Sequence, residues 1–170
     1  MKNLWVDSET VGLDHLSLLV YQSRLIGSNG SLVLWGGGNT SIKTTGQDFR
    51  SLTRRILLVK GSGTDLKYID KSGFSSLLMD EILELMDRDD MSDESMVDYI
   101  NHCMVKSDAP RPSIETLLHA FLPYTSVVHS HPDAILSITN NNDPVALINS
   151  IFDGSEILCS SFSVTKRTFM

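Results

Sequence analysis

Two histidines, His129 and His131, sit one residue apart in the stretch VVHSHPDAI, at the end of an apolar run. The chain has only five histidines, so placing two together is a strong local feature. On an extended strand, residues i and i+2 project to the same face. Both imidazoles then aim at one point, and two ring nitrogens held that way can chelate a divalent transition metal such as zinc. The structural alternative is one core histidine and one loop histidine. Pro132 follows directly, and a strand end that turns into a helix is where sites are built. A catalytic zinc takes three protein ligands and keeps one position open. The remaining histidines, His15, His102 and His119, fall in helical patterns and read as packing residues, and none follows His131.

The elements that must position this pair can be read from pattern. Residues 126–131 (SVVHSH) read as a strand, and Pro132 suits the first turn of a following helix. Upstream, SIETLLHAFL reads as a helix N-capped by Ser113, with Glu115 in its first turn, where a carboxylate suits the helix dipole. The loop SDAPRP (107–112) is extended, because each proline turns its predecessor away from helix. Residues 14–28 carry Leu16, Leu19, Val20 and Ile26 on one helical stripe. SLVLW (31–35) reads as a strand broken by GGGNTS (36–41), and RILLVKG (55–61) as a buried strand followed by the loop GSGTD. Residues 72–87 read as a helix with Ser72 as its cap. An acidic connection (87–94) leads to a helix capped by Ser92 or Asp93 and running to about Lys106. NNNDP (140–144) is a turn, VALINSIF a short helix and EILCSSF a strand. Helices and strands alternate without internal repeats, which gives an α/β or layered α+β class.

The bulk numbers agree with one soluble domain. The chain has 170 residues, of which 41% are hydrophobic, enough for a core. Its formal net charge of −7 comes without a basic patch, which argues against nucleic-acid binding. Two cysteines, Cys103 and Cys159, do not make a disulfide framework, so a reducing, cytoplasmic setting is expected. The N-terminus has no apolar signal region, and no stretch reaches the length of a membrane helix.

GGGNTSIK, VKGSGTDL and RPSIETLLHAFLPYTSVVHSHPDAI, in that order, resemble the class II aldolase/adducin family. The resemblance is greatest to the aldolase part of bifunctional rhamnulose-1-phosphate aldolase/alcohol dehydrogenase proteins, and it runs from about Gly36 to Ile135. It implies a three-layer αβα domain around a central, mainly antiparallel sheet. It implies that His129 and His131 are two of three zinc-binding histidines and that Glu115 is the general acid/base, with a carboxyl pKa tuned toward neutrality. It assigns the substrate phosphate to the glycine loops, where Asn39, Ser62, Gly63 and Ser113 match. The implied activity is retro-aldol cleavage of a phosphorylated ketose through a zinc-stabilised enediolate. Epimerases, dehydratases and the non-catalytic adducin head share the family. Its members tend to form tetramers, so a homo-oligomer is expected.

The sequence also departs from the family pattern. The family's third zinc histidine lies downstream of the H-x-H pair, and its donor tyrosine lies in the C-terminal portion. Here no histidine follows His131 and no tyrosine follows Tyr124. The chain therefore reads as a C-terminally incomplete copy.

Overall fold

The run Ile56–Val59 is apolar and β-branched at both ends, which suits a strand buried on both faces. It forms the middle of β2 (Thr53–Lys60) in the computed structural model, which describes residues 3–151 except Asp89. Beside it lies β1 (Asn39–Gln47), paired antiparallel from Ser41↔Val59 to Gln47↔Thr53. Strand β3 (Phe74–Leu78) pairs with the other edge of β2, and β4 (Ser126–His129) with the other edge of β1. The sheet order is β3-β2-β1-β4, and every pairing is antiparallel.

Helices cover both faces. After the short α1 (Asp7–Thr10) comes α2 (His15–Gly27), whose first turn is capped by the Asp14 carboxylate, 2.6 Å from the Ser17 N–H. Leu19 of α2 packs with Ile42, Ile69 and Phe74 on one face. The other face is covered by α3 (Met79–Leu83), which continues into a 3-10 turn (Glu84–Asp87), then α4 (Asp93–His102) and α5 (Thr116–Phe121). There Leu57, Val59 and Leu77 of the sheet meet Ile82, Ile100 and Leu117 of the helices. The result is the expected three-layer αβα arrangement with a central antiparallel sheet. The chain divides after His131 into two compact units. The second begins with α6 (Asp133–Thr139) and α7 (Pro144–Ile151). Among the described residues no helix is long and apolar enough to cross a membrane.

Several local expectations change. SLVLW is a series of turns, not a strand: Val33 is buried while Leu34 and Trp35 stay exposed. The strand starts instead inside GGGNTS, at Asn39. Residues 72–87 are not one helix, because Phe74–Leu78 pairs with β2. Asp70, not Ser72, supplies the local cap, accepting the Ser72 N–H at 2.8 Å. Ser92 does cap α4. Ser113 is not a helix cap, since α5 starts at Thr116 with Glu115 in the capping position. Pro132 sits one residue ahead of α6. Cys159 and the expected strand EILCSSF lie outside the described residues.

Candidate metal centre and glycine loops

Register sets the site. Asn39 of β1 faces His129 of β4 directly, so both side chains rise from the same face of the sheet. That face is the one α5 covers. The loop before α5 is tied to the end of β2 by a bridge between Gly61 and Pro112 and by the Ser62 N–H, which donates to the Arg111 carbonyl at 2.8 Å. The tie brings Ser113 and Glu115 over Asn39. The Asn39 amide donates to Ser113 Oγ at 3.0 Å and to Glu115 Oε2 at 3.4 Å.

The same Glu115 oxygen lies 3.3 Å from His129 Nδ1. The approach is close, yet that nitrogen has no well-directed hydrogen-bond partner. On its other side, His129 Nε2 is 3.1 Å from His131 Nε2. His131 lies beyond the end of β4, contrary to the expectation that the strand runs to 131. Its backbone N–H donates to the Leu32 carbonyl at 2.8 Å, which keeps the ring turned toward His129. Gly38 makes this fold-back possible. It has φ +71°, and a Cβ there would lie 2.5 Å from Val33 and 2.9 Å from the His129 carbonyl.

Glu115 is held down at a pKa of about 2. The His129 ring, 3.3 Å away, is the main cause; the Asn39 amide and His131 add to it, and together they outweigh burial. The expected tuning toward neutrality is therefore not met. In this state Glu115 is a carboxylate, suited to holding a cation, and so low a pKa makes it a weak base.

Two buried titratable residues that sequence pattern does not single out lie beside the site, His119 and Lys60. His119 is fully buried, and its pKa is pushed down to about 4, chiefly by desolvation. It is a neutral imidazole at pH 7, with Nδ1 2.7 Å from Ser41 Oγ. Lys60 is almost fully buried, which lowers its pKa. Its ammonium donates to the carbonyls of Gly36 at 3.0 Å and Thr64 at 2.8 Å, one in each glycine-rich loop. The loops touch, since a Cβ on Gly36 would meet Gly63 at 3.5 Å. Gly63 has φ +76°, a left-handed turn that a side chain would strain.

The donor set fits a divalent cation. One ligand atom from each of Glu115, His129 and His131 falls within 4.8 Å of the others. Tetrahedral zinc with nitrogen bonds of about 2.0–2.1 Å spaces its ligands about 3.3 Å apart, close to the 3.1 Å between the two Nε2 atoms. Two histidines with one carboxylate is also a known catalytic zinc set.

A sequence profile of the "Class II Aldolase and Adducin N-terminal domain" matches residues 17–158. The chain belongs to the class II aldolase and adducin family. A solved structure described as the N-terminal class II aldolase domain of a conserved protein from Thermoplasma acidophilum is 50% identical and superposes with a TM-score of 0.80. The match covers 89% of this chain and 70% of that one. An uncharacterized oxidoreductase of Bacillus subtilis (strain 168), YuxG, is 53% identical over 139 residues. These residues are 81% of this chain and only 20% of that protein. This chain thus spans about a fifth of the length of this curated relative. The narrower likeness to rhamnulose-1-phosphate aldolases is not among these findings.

Proposed function

We propose that this domain holds a divalent cation, zinc or a similar transition metal, through His129, His131 and Glu115. On this reading it is an aldolase-type lyase acting on a phosphorylated ketose. The observation that carries the proposal is the convergence of two ring nitrogens and a low-pKa carboxylate on one point. A bound cation would polarise the carbonyl and hydroxyl oxygens of the substrate. Glu115 would move the proton that C–C cleavage requires, a role that calls for substrate binding to raise its carboxyl pKa toward neutrality. Asn39 and Ser113, joined by a hydrogen bond beside Glu115, would present an amide and a hydroxyl to the phosphate. Gly63 would allow close backbone approach, and Ser62 would use its hydroxyl, since its N–H is already paired with Arg111. Rhamnulose-1-phosphate is the first substrate to try, in a cytoplasmic homo-oligomer, a tetramer by family resemblance, without nucleic-acid or membrane partners.

Cation and ligand binding are the decisive readouts, because they test the site without requiring turnover. Purified protein should contain about one zinc per chain, and His129→Ala with His131→Ala should remove it while the fold survives. Dihydroxyacetone phosphate release from rhamnulose-1-phosphate should be zinc-dependent and lost in Glu115→Gln. Unchanged metal content in the double variant would refute the ligand assignment. The low pKa of Glu115, which makes it a weak base, favours a second reading, a non-catalytic adducin-like binding module. Wild-type protein that takes up no metal would support it.

A further inference from the structure

Strand β1 grips α5 along its whole length through alternate residues. Asn39, Ser41 and Lys43 share one face of the strand, two residues apart. Asn39 holds Ser113 and Glu115 at the start of α5. Ser41, fully buried, holds His119 in the middle. The Lys43 ammonium donates to the carbonyl of Leu122, the residue that ends α5. The two repeats match. Two strand residues advance about 6.7 Å, and the four helix residues from Glu115 to His119 advance about 6 Å. The helix therefore runs in the same sense as β1, with one polar tie per turn. An interface of this kind fixes the position of α5 along the strand. An apolar interface would leave it freer to slide, because hydrophobic attraction is non-directional.

We propose that Ser41 and Lys43 are positioning residues, which lock α5 in register with β1 and thereby fix the Glu115 carboxylate against His129 and His131. Neither residue belongs to the cation's own ligand set. The idea rests on the proposed cation site for its consequence, but the lock itself can be tested without metal.

The variants are Ser41→Ala, Lys43→Met and Lys43→Arg, with Thr40→Val as the control. Thr40 is the neighbour of Ser41 on β1 and makes an equally short hydroxyl bond, 2.7 Å to Ser23, on the opposite face. Lys43 is only half-buried, so Lys43→Met decides the matter even if Ser41→Ala folds poorly. The first readout is the carboxyl-carbon resonance of Glu115 in metal-free protein, assigned through Glu115→Gln. It should move in Ser41→Ala and Lys43→Met, return in Lys43→Arg, and stay in place in Thr40→Val. The second is cobalt(II) affinity and its visible spectrum. Affinity should fall about tenfold in the first two variants only, the lower end of what supporting residues around a metal contribute. A resonance unmoved in folded Lys43→Met, or moved equally in Thr40→Val, overturns the proposal. If wild-type protein binds no cobalt while the resonance pattern holds, the cation reading fails and the register lock stands.

Discussion

The two faces of β1 are held by different mixtures of forces. Toward α2 the strand presents Thr40, Ile42 and Thr44: the apolar cluster of Leu19, Ile42, Ile69 and Phe74 is flanked by two hydroxyl ties, Thr40 to Ser23 and Thr44 to His15 Nδ1. Toward α5 it presents Asn39, Ser41 and Lys43, and each makes a directed bond to a chosen partner. The apolar face contributes free energy in proportion to area and tolerates small displacements. The polar face gives less net stability per bond, about 0.5–1.5 kcal/mol each, but specifies position. The chemistry-bearing residues lie on the second face. One strand thus gives its α2 face a buried aliphatic residue between two hydroxyl ties, and its α5 face three polar ties in succession.

The largest test of this division is Leu19→Ala, a fully buried side chain on the α2 face. Unfolding by urea should show a loss of about 2–5 kcal/mol. Cation affinity of the folded variant should be unchanged; a parallel loss of affinity would mean that the faces are not separable.

The α5 face should reveal itself through acid. The folded pKa of His119, about 4, lies below its ordinary 6.5, so between these values the unfolded chain takes up a proton that the folded chain refuses. The stability from this group is complete above about pH 6.5 and is lost as pH falls toward 4, by about 1–3 kcal/mol. Glu115 acts in a lower window: its pKa falls from 4.5 to about 2, so its contribution is complete above about pH 4.5 and is lost as pH falls toward 2. In metal-free protein, His119→Gln should flatten the upper window and leave the lower one. A wild-type stability that does not change between pH 6.5 and 4 would show that His119 is not held neutral by burial.

The smallest effect belongs to the edge of the apolar face. Asp14→Ala removes the cap of α2 and an exposed pairing with Lys71, 3.1 Å apart. The expected cost is about 1 kcal/mol, nearly all from the cap, because an exposed ion pair contributes little. Thermal unfolding reads it, and cation affinity should not follow.

The same contrast explains what could be read from sequence. Apolar periodicity announced α2 and β2, and Ser92 announced α4. The H-x-H pair and Glu115 were also legible, and the three side chains do meet. Strand β1 was not legible, because NTSIKTTGQ buries hydroxyls, an amide and a lysine stem instead of an apolar stripe. Phe74–Leu78 reads as helix by local pattern, because its strand state is decided by pairing with β2, 14 to 22 positions away, which no local pattern reveals. SLVLW failed in the opposite sense: a short apolar run reads alike as strand or turn unless its burial is known. The direction of the Glu115 shift was equally hidden. It depends on His129 lying 3.3 Å away, a distance fixed by register and not by spacing along the chain.

The placement of β4 has a consequence for how the molecule acquires its site. The β1–β2 hairpin closes across the short gap from Gln47 to Thr53. The β1–β4 pairing must join Ile42 to Ser126, 84 positions apart. Loop-closure entropy makes the second event costlier by about 2 kcal/mol, before any contact repays it. Long-range pairings of this kind are the slow part of folding. Asn39 is in place with the hairpin, but His129 and His131 arrive only with β4. The histidines of the proposed cation site therefore come together only with the pairing that is costliest to close.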